Sequence, residues 1–128
     1  MSGRGAAQFG CLVAALALAG CSHRLDKPRE FVVFFETDRV ELTQEAQQIL
    51  GRVAEDANEY SPSKIVVAGR ADGGTAHDAS LADQRAAAVA RGLIDRGIRG
   101  ERIEKRADAP PPGIAGVAAH RVIIELLP

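Results

Sequence analysis

One short stretch of the chain holds the residue types that catalytic and metal sites use. Asp72, His77, Asp78 and Ser80 lie close together in the sequence, and such side chains could bind a metal ion or form a hydrolytic triad. The motifs H-E-x-x-H and G-x-S-x-G are absent, there is no paired-cysteine motif, and the adjacent glycine pair does not begin a phosphate-binding loop. We therefore interpret these side chains as polar loop residues and expect no enzyme activity, no metal and no cofactor.

A second reactive residue, Cys21, closes an apolar stretch at the start of the chain. Arg4 supplies a positive charge, and residues 9–19 are apolar but too few to span a bilayer, which is typical of a secretory signal peptide. Residues 18–21, Leu-Ala-Gly-Cys, resemble the lipobox of bacterial lipoproteins, in which a diacylglycerol is attached to the cysteine and a peptidase cuts before it. We therefore expect a signal peptide at 1–20 and a Cys21 that carries acyl chains such as palmitate.

The segment after this cysteine bears on where the domain works. Ser22 stands where an Asp would favour the inner membrane in enteric sorting, so by analogy we expect the outer membrane, with the domain in the periplasm. Cys11 would leave with the signal peptide, and Cys21 would then be the only cysteine, so no disulfide can form within the mature chain. Residues 22–30 are polar, and we interpret them as a tether of about 30 Å when extended.

The composition is that of one ordinary globular domain. Of the 128 residues, 46% are hydrophobic and 26% are charged, and the net charge is only -1. The charges are scattered along the chain and aromatic residues are few, so we expect neither nucleic acid as a partner nor an aromatic stacking surface.

The first half of the mature chain predicts a strand, a helix and a second strand. Residues 31–35 are apolar on both faces, which favours a central strand covered on both sides. Helical spacing then runs from Thr43, a candidate N-cap, to Tyr60. Residues 64–70 form a second apolar, β-branched run and predict the second strand.

The second half predicts a helix and two further strands. The helix begins near Asp78 or Ser80, ends at Gly97, and carries Asp83, Arg85, Arg91 and Asp95 on its polar face. A brief strand at 101–106 and a final strand at 121–127 follow. The order β-α-β-α-β-β predicts an α/β (α+β) sandwich with helices packed on one face of a mixed sheet.

Four short motifs follow one another along these elements. They are residues 33–43, a strand with the turn into the first helix; 66–74, which ends in Gly-Arg-Ala-Asp-Gly-Gly; 81–86, Leu-Ala-Asp-Gln-Arg-Ala; and 121–124, Arg-Val-Ile-Ile. In this order they resemble the family of the C-terminal domain of outer membrane protein A, of the peptidoglycan-associated lipoprotein type. The resemblance implies an OmpA-like domain over residues 31–128.

This resemblance also implies a ligand. Members of the family bind peptidoglycan at the diaminopimelate residue of its peptide, whose side chain ends in an amine and a carboxylate. An aspartate and an arginine bind such a pair through charge-assisted hydrogen bonds. Asp72 and Arg85 occupy the family's positions, and the implied site also includes Ala71, Asp78 and Arg121. Such a protein would tether the outer membrane to the cell wall.

The same residues allow other interpretations. Arg85 also fits a solvated surface residue bonded to Asp83 or Asp78, and Asp72 fits a turn residue before the two glycines. Ala71 and Asp78 replace the Thr and Asn that the family usually has. These departures favour a rival function: a periplasmic module that binds a protein partner in an envelope complex and has lost peptidoglycan binding.

Overall fold

A computed structural model describes residues 23–70, 75–108 and 120–128 of the chain. Its elements are β1 (Arg29–Phe34), α1 (Gln44–Tyr60), β2 (Lys64–Arg70), α2 (Ala76–Asp95), a 3-10 turn (Gly100–Arg102), β3 (Ile103–Asp108) and β4 (Arg121–Leu127). The predicted order of strands and helices is confirmed.

The four strands form one mixed sheet in the order β1-β4-β2-β3. β4 pairs antiparallel with β1 and with β2, whereas β2 and β3 run parallel. The expectation that the first strand is central is therefore wrong: β1 lies at an edge, and its outward-facing Phe34 is 52% exposed. The central strands are β2 and β4, and both are buried on both faces. On the face away from the helices, Val66 of β2 and Ile123 of β4 are buried.

Both helices pack on one face of this sheet, as predicted. Large apolar side chains from the helices and from β1, β2 and β4 fill the space between them: Val33, Leu50, Val53, Ile65, Val67, Val89, Leu93, Val122, Ile124 and Leu126. Within the described residues, neither helix is long and apolar enough to cross a membrane.

The distance between α2 and the sheet is set at Gly69 of β2. A Cβ atom at this position would lie 2.1 Å from the backbone carbonyl oxygen of Ala82. Only glycine lets the two backbones approach this closely. Gly69 therefore fixes how α2, which carries Arg85, sits on β2.

Side-chain caps determine where the helices begin. Thr43 caps α1 as predicted, because its hydroxyl accepts a hydrogen bond of 3.1 Å from the Ala46 N–H. α2 begins at Ala76, earlier than predicted, because Thr75 and Asp78 form a reciprocal capping box. It ends at Asp95, and Gly97 follows with a φ of 92°, the left-handed conformation that favours glycine there.

Part of the predicted tether packs onto the domain. Leu25 is 5% exposed and belongs to the hydrophobic core, and its N–H donates a 3.2 Å hydrogen bond to the carbonyl oxygen of Tyr60. The guanidinium of Arg29 covers the Tyr60 ring at 4.0 Å and forms a 2.7 Å ion pair with Asp56. The packed structure thus begins before residue 31, and we call residues 23–28 the N-terminal arm.

Candidate functional site

The described residues of the predicted site lie at one end of the sheet. β1, β2 and β3 all end there and β4 begins there, since Phe34 pairs with Arg121 and Arg70 pairs with Asp108. The N-terminus of α2 lies at the same end because only the short segment 71–74 separates it from β2. We call this end the site pole. Ala71 and Asp72 are outside the described residues, in the segment that connects Arg70 to Thr75.

Arg85 lies in the third turn of α2 and is buried under the loop that connects β1 to α1. Only 2% of the surface of Arg85 is exposed. Nε donates a 2.8 Å hydrogen bond to the carbonyl oxygen of Arg39, and Nη2 donates one of 3.1 Å to that of Glu36. The guanidinium carbon also lies 5.4 Å from the centre of the Phe35 ring. The interpretation of Arg85 as a solvated residue on the polar face of its helix is therefore wrong.

These contacts give Arg85 a structural task that the sequence did not reveal. Burying a guanidinium is costly unless its N–H groups find acceptors, and the two loop carbonyls provide them. In return, the side chain holds residues 36–39 against α2. Because arginine stays protonated, the site pole keeps a positive charge in a position shielded from water.

Asp78 forms hydrogen bonds with Thr75 at the start of α2. Its carboxylate accepts hydrogen bonds from the hydroxyl and, at 3.3 Å, from the N–H of Thr75, whose Oγ1 accepts one of 3.1 Å from the Asp78 N–H. The bond from the Thr75 hydroxyl is the main reason that the pKa of Asp78 lies below the usual value, with smaller contributions from the Thr75 N–H, His77 and His120. The described structure thus uses Asp78 as a helix cap.

Arg121 faces the other side of the sheet. Its neighbour Val122, then Ile124 and Leu126, belong to the core beneath the helices, so alternation places Arg121 on the face away from the helices. Its Nε is buried and has no hydrogen-bond partner among the described residues. The structure places Arg85 and Asp78 on the helix side and does not bring Arg121 to them.

The residues considered for catalysis or metal binding are dispersed. His77 lies 3.7 Å from Asp38 in an exposed pair, and Ser80 accepts a hydrogen bond from Gln84 in the next turn of α2. In the part of the chain that the structure describes, no group of three His, Cys, Asp or Glu residues could hold a metal ion. Asp72, the remaining member of both hypotheses, lies outside that part.

The loop between β1 and α1 is the element of the site that sequence reasoning missed. Its carbonyls at Glu36 and Arg39 bind Arg85, and Asp38 adopts a left-handed φ of 54° between them. Every residue has a main-chain carbonyl, so residue types alone could not show which carbonyls bind Arg85. The run of polar residues directly after the Phe34-Phe35 pair was the available signal for a functional loop.

Two helices on a β1-β4-β2-β3 sheet, with the polar loops gathered at one pole, define an OmpA-like domain. The profile described as OmpA family matches residues 34–111, and the chain belongs to this family. The family consists of non-enzymatic structural proteins, which confirms the prediction that the chain is not an enzyme.

Relatives and solved structures agree with this membership. The peptidoglycan-associated lipoprotein of Mesorhizobium japonicum is 30% identical over 73% of this chain and 71% of its own length. The OmpA-like domain of FopA1 from Francisella tularensis superimposes with a TM-score of 0.69 at 19% identity, over 77% of this chain and 71% of that one. The peptidoglycan-associated lipoprotein of Burkholderia pseudomallei gives 0.64 at 20% identity, over 73% and 86%. At such identities the two structures show a shared fold.

Proposed function

We propose that this protein is a lipoprotein of the outer membrane whose periplasmic domain binds the peptide stems of peptidoglycan without a covalent bond and so tethers the membrane to the cell wall. Family membership and a similar peptidoglycan-associated lipoprotein support the association with the cell wall. The observation that carries the proposal is the buried, charged Arg85, which organises a loop at the pole where the segment containing Asp72 is attached.

The membrane attachment rests on the sequence. Cys21 follows Leu-Ala-Gly at the end of an apolar stretch, and acylation there would insert hydrocarbon chains into the membrane. Each buried CH2 group contributes about 0.8 kcal/mol, so two or three chains hold a protein on a membrane almost permanently. Ser22, in place of Asp, supports sorting to the outer membrane.

The proposed ligand is the zwitterionic end of a diaminopimelate side chain. A carboxylate on Asp72 would accept hydrogen bonds from its ammonium group, and the positive charge of Arg85 would attract its carboxylate. The N-terminus of α2 lies at the same pole and would favour a bound anion. A direct contact of Arg85 with the ligand stays a prediction, as do the roles of Ala71, Asp78 and Arg121.

Co-sedimentation with isolated cell-wall sacculi tests this proposal. The purified domain should pellet with sacculi, and Asp72→Asn should remove most of the binding because the amide loses the charge that attracts the ammonium group. Asp83→Asn is the matched control, since Asp83 is an exposed carboxylate of α2 that forms only a long ion pair of 3.9 Å with Lys105 among the described contacts. Absence of the unmodified domain from the pellet, or equal binding by Asp72→Asn, would reject the proposal.

A protein-binding module is the second candidate. It is favoured by the fact that Arg85 and Asp78 both make hydrogen bonds within the domain, to the loop carbonyls and to the helix cap. A domain that used these residues only for its own structure could serve to hold a periplasmic protein. Crosslinking in intact cells should then capture one envelope protein and no muropeptide, whereas recovery of muropeptides favours the tether.

A further inference from the structure

We infer that the end of the domain opposite the site pole lies against the lipid headgroups, held there by a short tether and the docked Leu25, so that the site pole faces away from the membrane. The inference rests on the proposed attachment of lipid to Cys21. It adds an orientation and a membrane-facing surface to the proposed function.

The N-terminal arm is attached at the far end of the domain from the site pole. Leu25 binds Tyr60, the last residue of α1, and Arg29 is the first residue of β1. At the same end the N–H of Ser63 donates a 2.9 Å hydrogen bond to the carbonyl oxygen of Leu127, which joins the start of β2 to the end of β4. We call this end the arm pole.

The two poles are separated by the length of the strands. β2 has 7 residues and runs from the arm pole to the site pole. At about 3.3 Å per residue, the strand alone separates the poles by about 20 Å.

The docking of Leu25 shortens the free tether. Cys21 stands four positions before Leu25, so even a fully extended chain between them reaches only about 14 Å. This reach is smaller than the separation between the poles. The site pole therefore cannot turn down onto the membrane unless Leu25 leaves the core, whereas a tether that extended to residue 30 would allow it.

The arm also carries suitable charge for a headgroup surface. Arg24 and Lys27 are exposed, and Asp26 is the only acidic residue between His23 and Pro28. Cations near a membrane are attracted by phosphate groups, which favours contact of the arm with the lipid. The surface that would meet the membrane is thus the arm together with the turn around Ser63.

Paramagnetic relaxation measured by NMR tests this orientation without relying on lipid attachment in the cell. The chain from Cys21 onward retains every described contact, because the described structure begins at His23, and Cys21 is its only thiol for coupling to a maleimide lipid. Nanodiscs of phosphatidylethanolamine and phosphatidylglycerol would contain a small fraction of gadolinium-chelating lipid. The amide signals of Ser63 and Gly100 should relax at least fivefold faster than those of Asp38 and His77.

Two variants show what holds the orientation. A flexible Gly-Ser segment of twelve residues between Ser22 and His23 keeps Leu25 docked but lengthens the tether. It should lower the ratio of the relaxation rates at the arm pole to those at the site pole at least twofold. Leu25→Ser should lower the same ratio by releasing the arm. The NMR spectrum of the rest of the domain should show that the domain is still folded. Similar relaxation at both poles of the unmodified chain, or a ratio that survives the insertion, would overturn the inference. Binding of the free domain to sacculi does not depend on orientation, so the proposed function and this inference can fail separately.

Discussion

The Nε atom of Arg85 donates a 2.8 Å hydrogen bond to the carbonyl oxygen of Arg39, which lies 46 positions earlier in the chain. This bond joins the third turn of α2 to the loop that follows β1. In the proposed function the same side chain also supplies the positive charge for the ligand's carboxylate. Variants of Arg85 must therefore be measured for both stability and binding.

Replacement of Arg85 by alanine should destabilise the domain. The change removes two hydrogen bonds from a charged donor and leaves the carbonyls of Glu36 and Arg39 without this partner. The loop is at the surface, so water can bond to these carbonyls after the change, and this limits the loss. We expect the free energy of unfolding, measured by urea denaturation, to fall by about 2 to 3 kcal/mol. Arg91→Ala, at an exposed arginine of the same helix, should change the free energy by less than about 0.5 kcal/mol. Equal effects of the two variants would contradict a structural role for Arg85.

Gly69→Ala should destabilise the domain through a steric clash. The new methyl group would lie 2.1 Å from the Ala82 carbonyl oxygen, so α2 must move away from β2. We expect a loss of about 2 to 3 kcal/mol, at the upper end of overpacking effects. At Gly51, within α1, an added methyl group meets nothing within 4 Å, so Gly51→Ala should raise stability by about 0.5 to 1 kcal/mol. Denaturation curves of the two variants should therefore shift in opposite directions, and a Gly69→Ala variant as stable as the unmodified chain would show that α2 is not held close at Gly69.

The helix pattern was largely predictable from the sequence, and the burial of Arg85 was not. Thr43, Gly97 and the final strand follow from local preferences, because caps and β-branched runs act within a few residues. The position of β1 at the sheet edge depends on which strands pair, and the apolar run alone could not show this. The docking of Leu25 depends on one apolar residue in a polar segment, which is too weak a signal to read. At the site, residue types indicated Arg85 and Asp78. The partners of Arg85 are backbone carbonyls brought in by the tertiary fold, whereas Asp78 bonds to Thr75, only three positions away.

Loss of the Thr75 hydroxyl should raise the pKa of Asp78 toward its usual value. The hydroxyl bond favours the carboxylate in the folded state, so Thr75→Val removes the main cause of the lowered pKa. A pKa that is depressed by folding stabilises the protein above the ordinary aspartate range, and this contribution is lost as the pH falls through the lowered value. The stability difference between the original chain and Thr75→Val should thus be largest near neutrality and shrink below about pH 4.

Thr43→Val is the control for this pH dependence. Thr43 caps α1 by accepting from a backbone N–H, a group that does not titrate in this range. Thr43→Val should lower the free energy of unfolding by about 1 kcal/mol at every pH between neutrality and pH 3. NMR titration of the Asp78 carboxyl carbon would give the pKa directly, and an unchanged value in Thr75→Val would show that the hydroxyl bond is not what lowers it.

Truncation of Leu25 should cost stability although the residue lies in a polar segment. Its side chain is 5% exposed within the core, so Leu25→Ala should lower the free energy of unfolding by about 2 kcal/mol, the lower end for a core leucine. Ile94→Ala removes an aliphatic side chain that is 48% exposed and should cost less than about 1 kcal/mol. If Leu25→Ala proved the milder of the two, residues 23–28 would not be docked as described.

NMR titration of the domain with a muropeptide that contains diaminopimelate tests peptidoglycan binding at the site pole most directly. We predict saturable shifts of the amide signals of Arg39, Thr75 and Asp78, with the signals of Leu25 and Ser63 at the arm pole unchanged, and no shifts with a peptide in which lysine replaces diaminopimelate. Absence of shifts, or shifts confined to the arm pole, would contradict binding of the cell-wall peptide at the site that Arg85 organises.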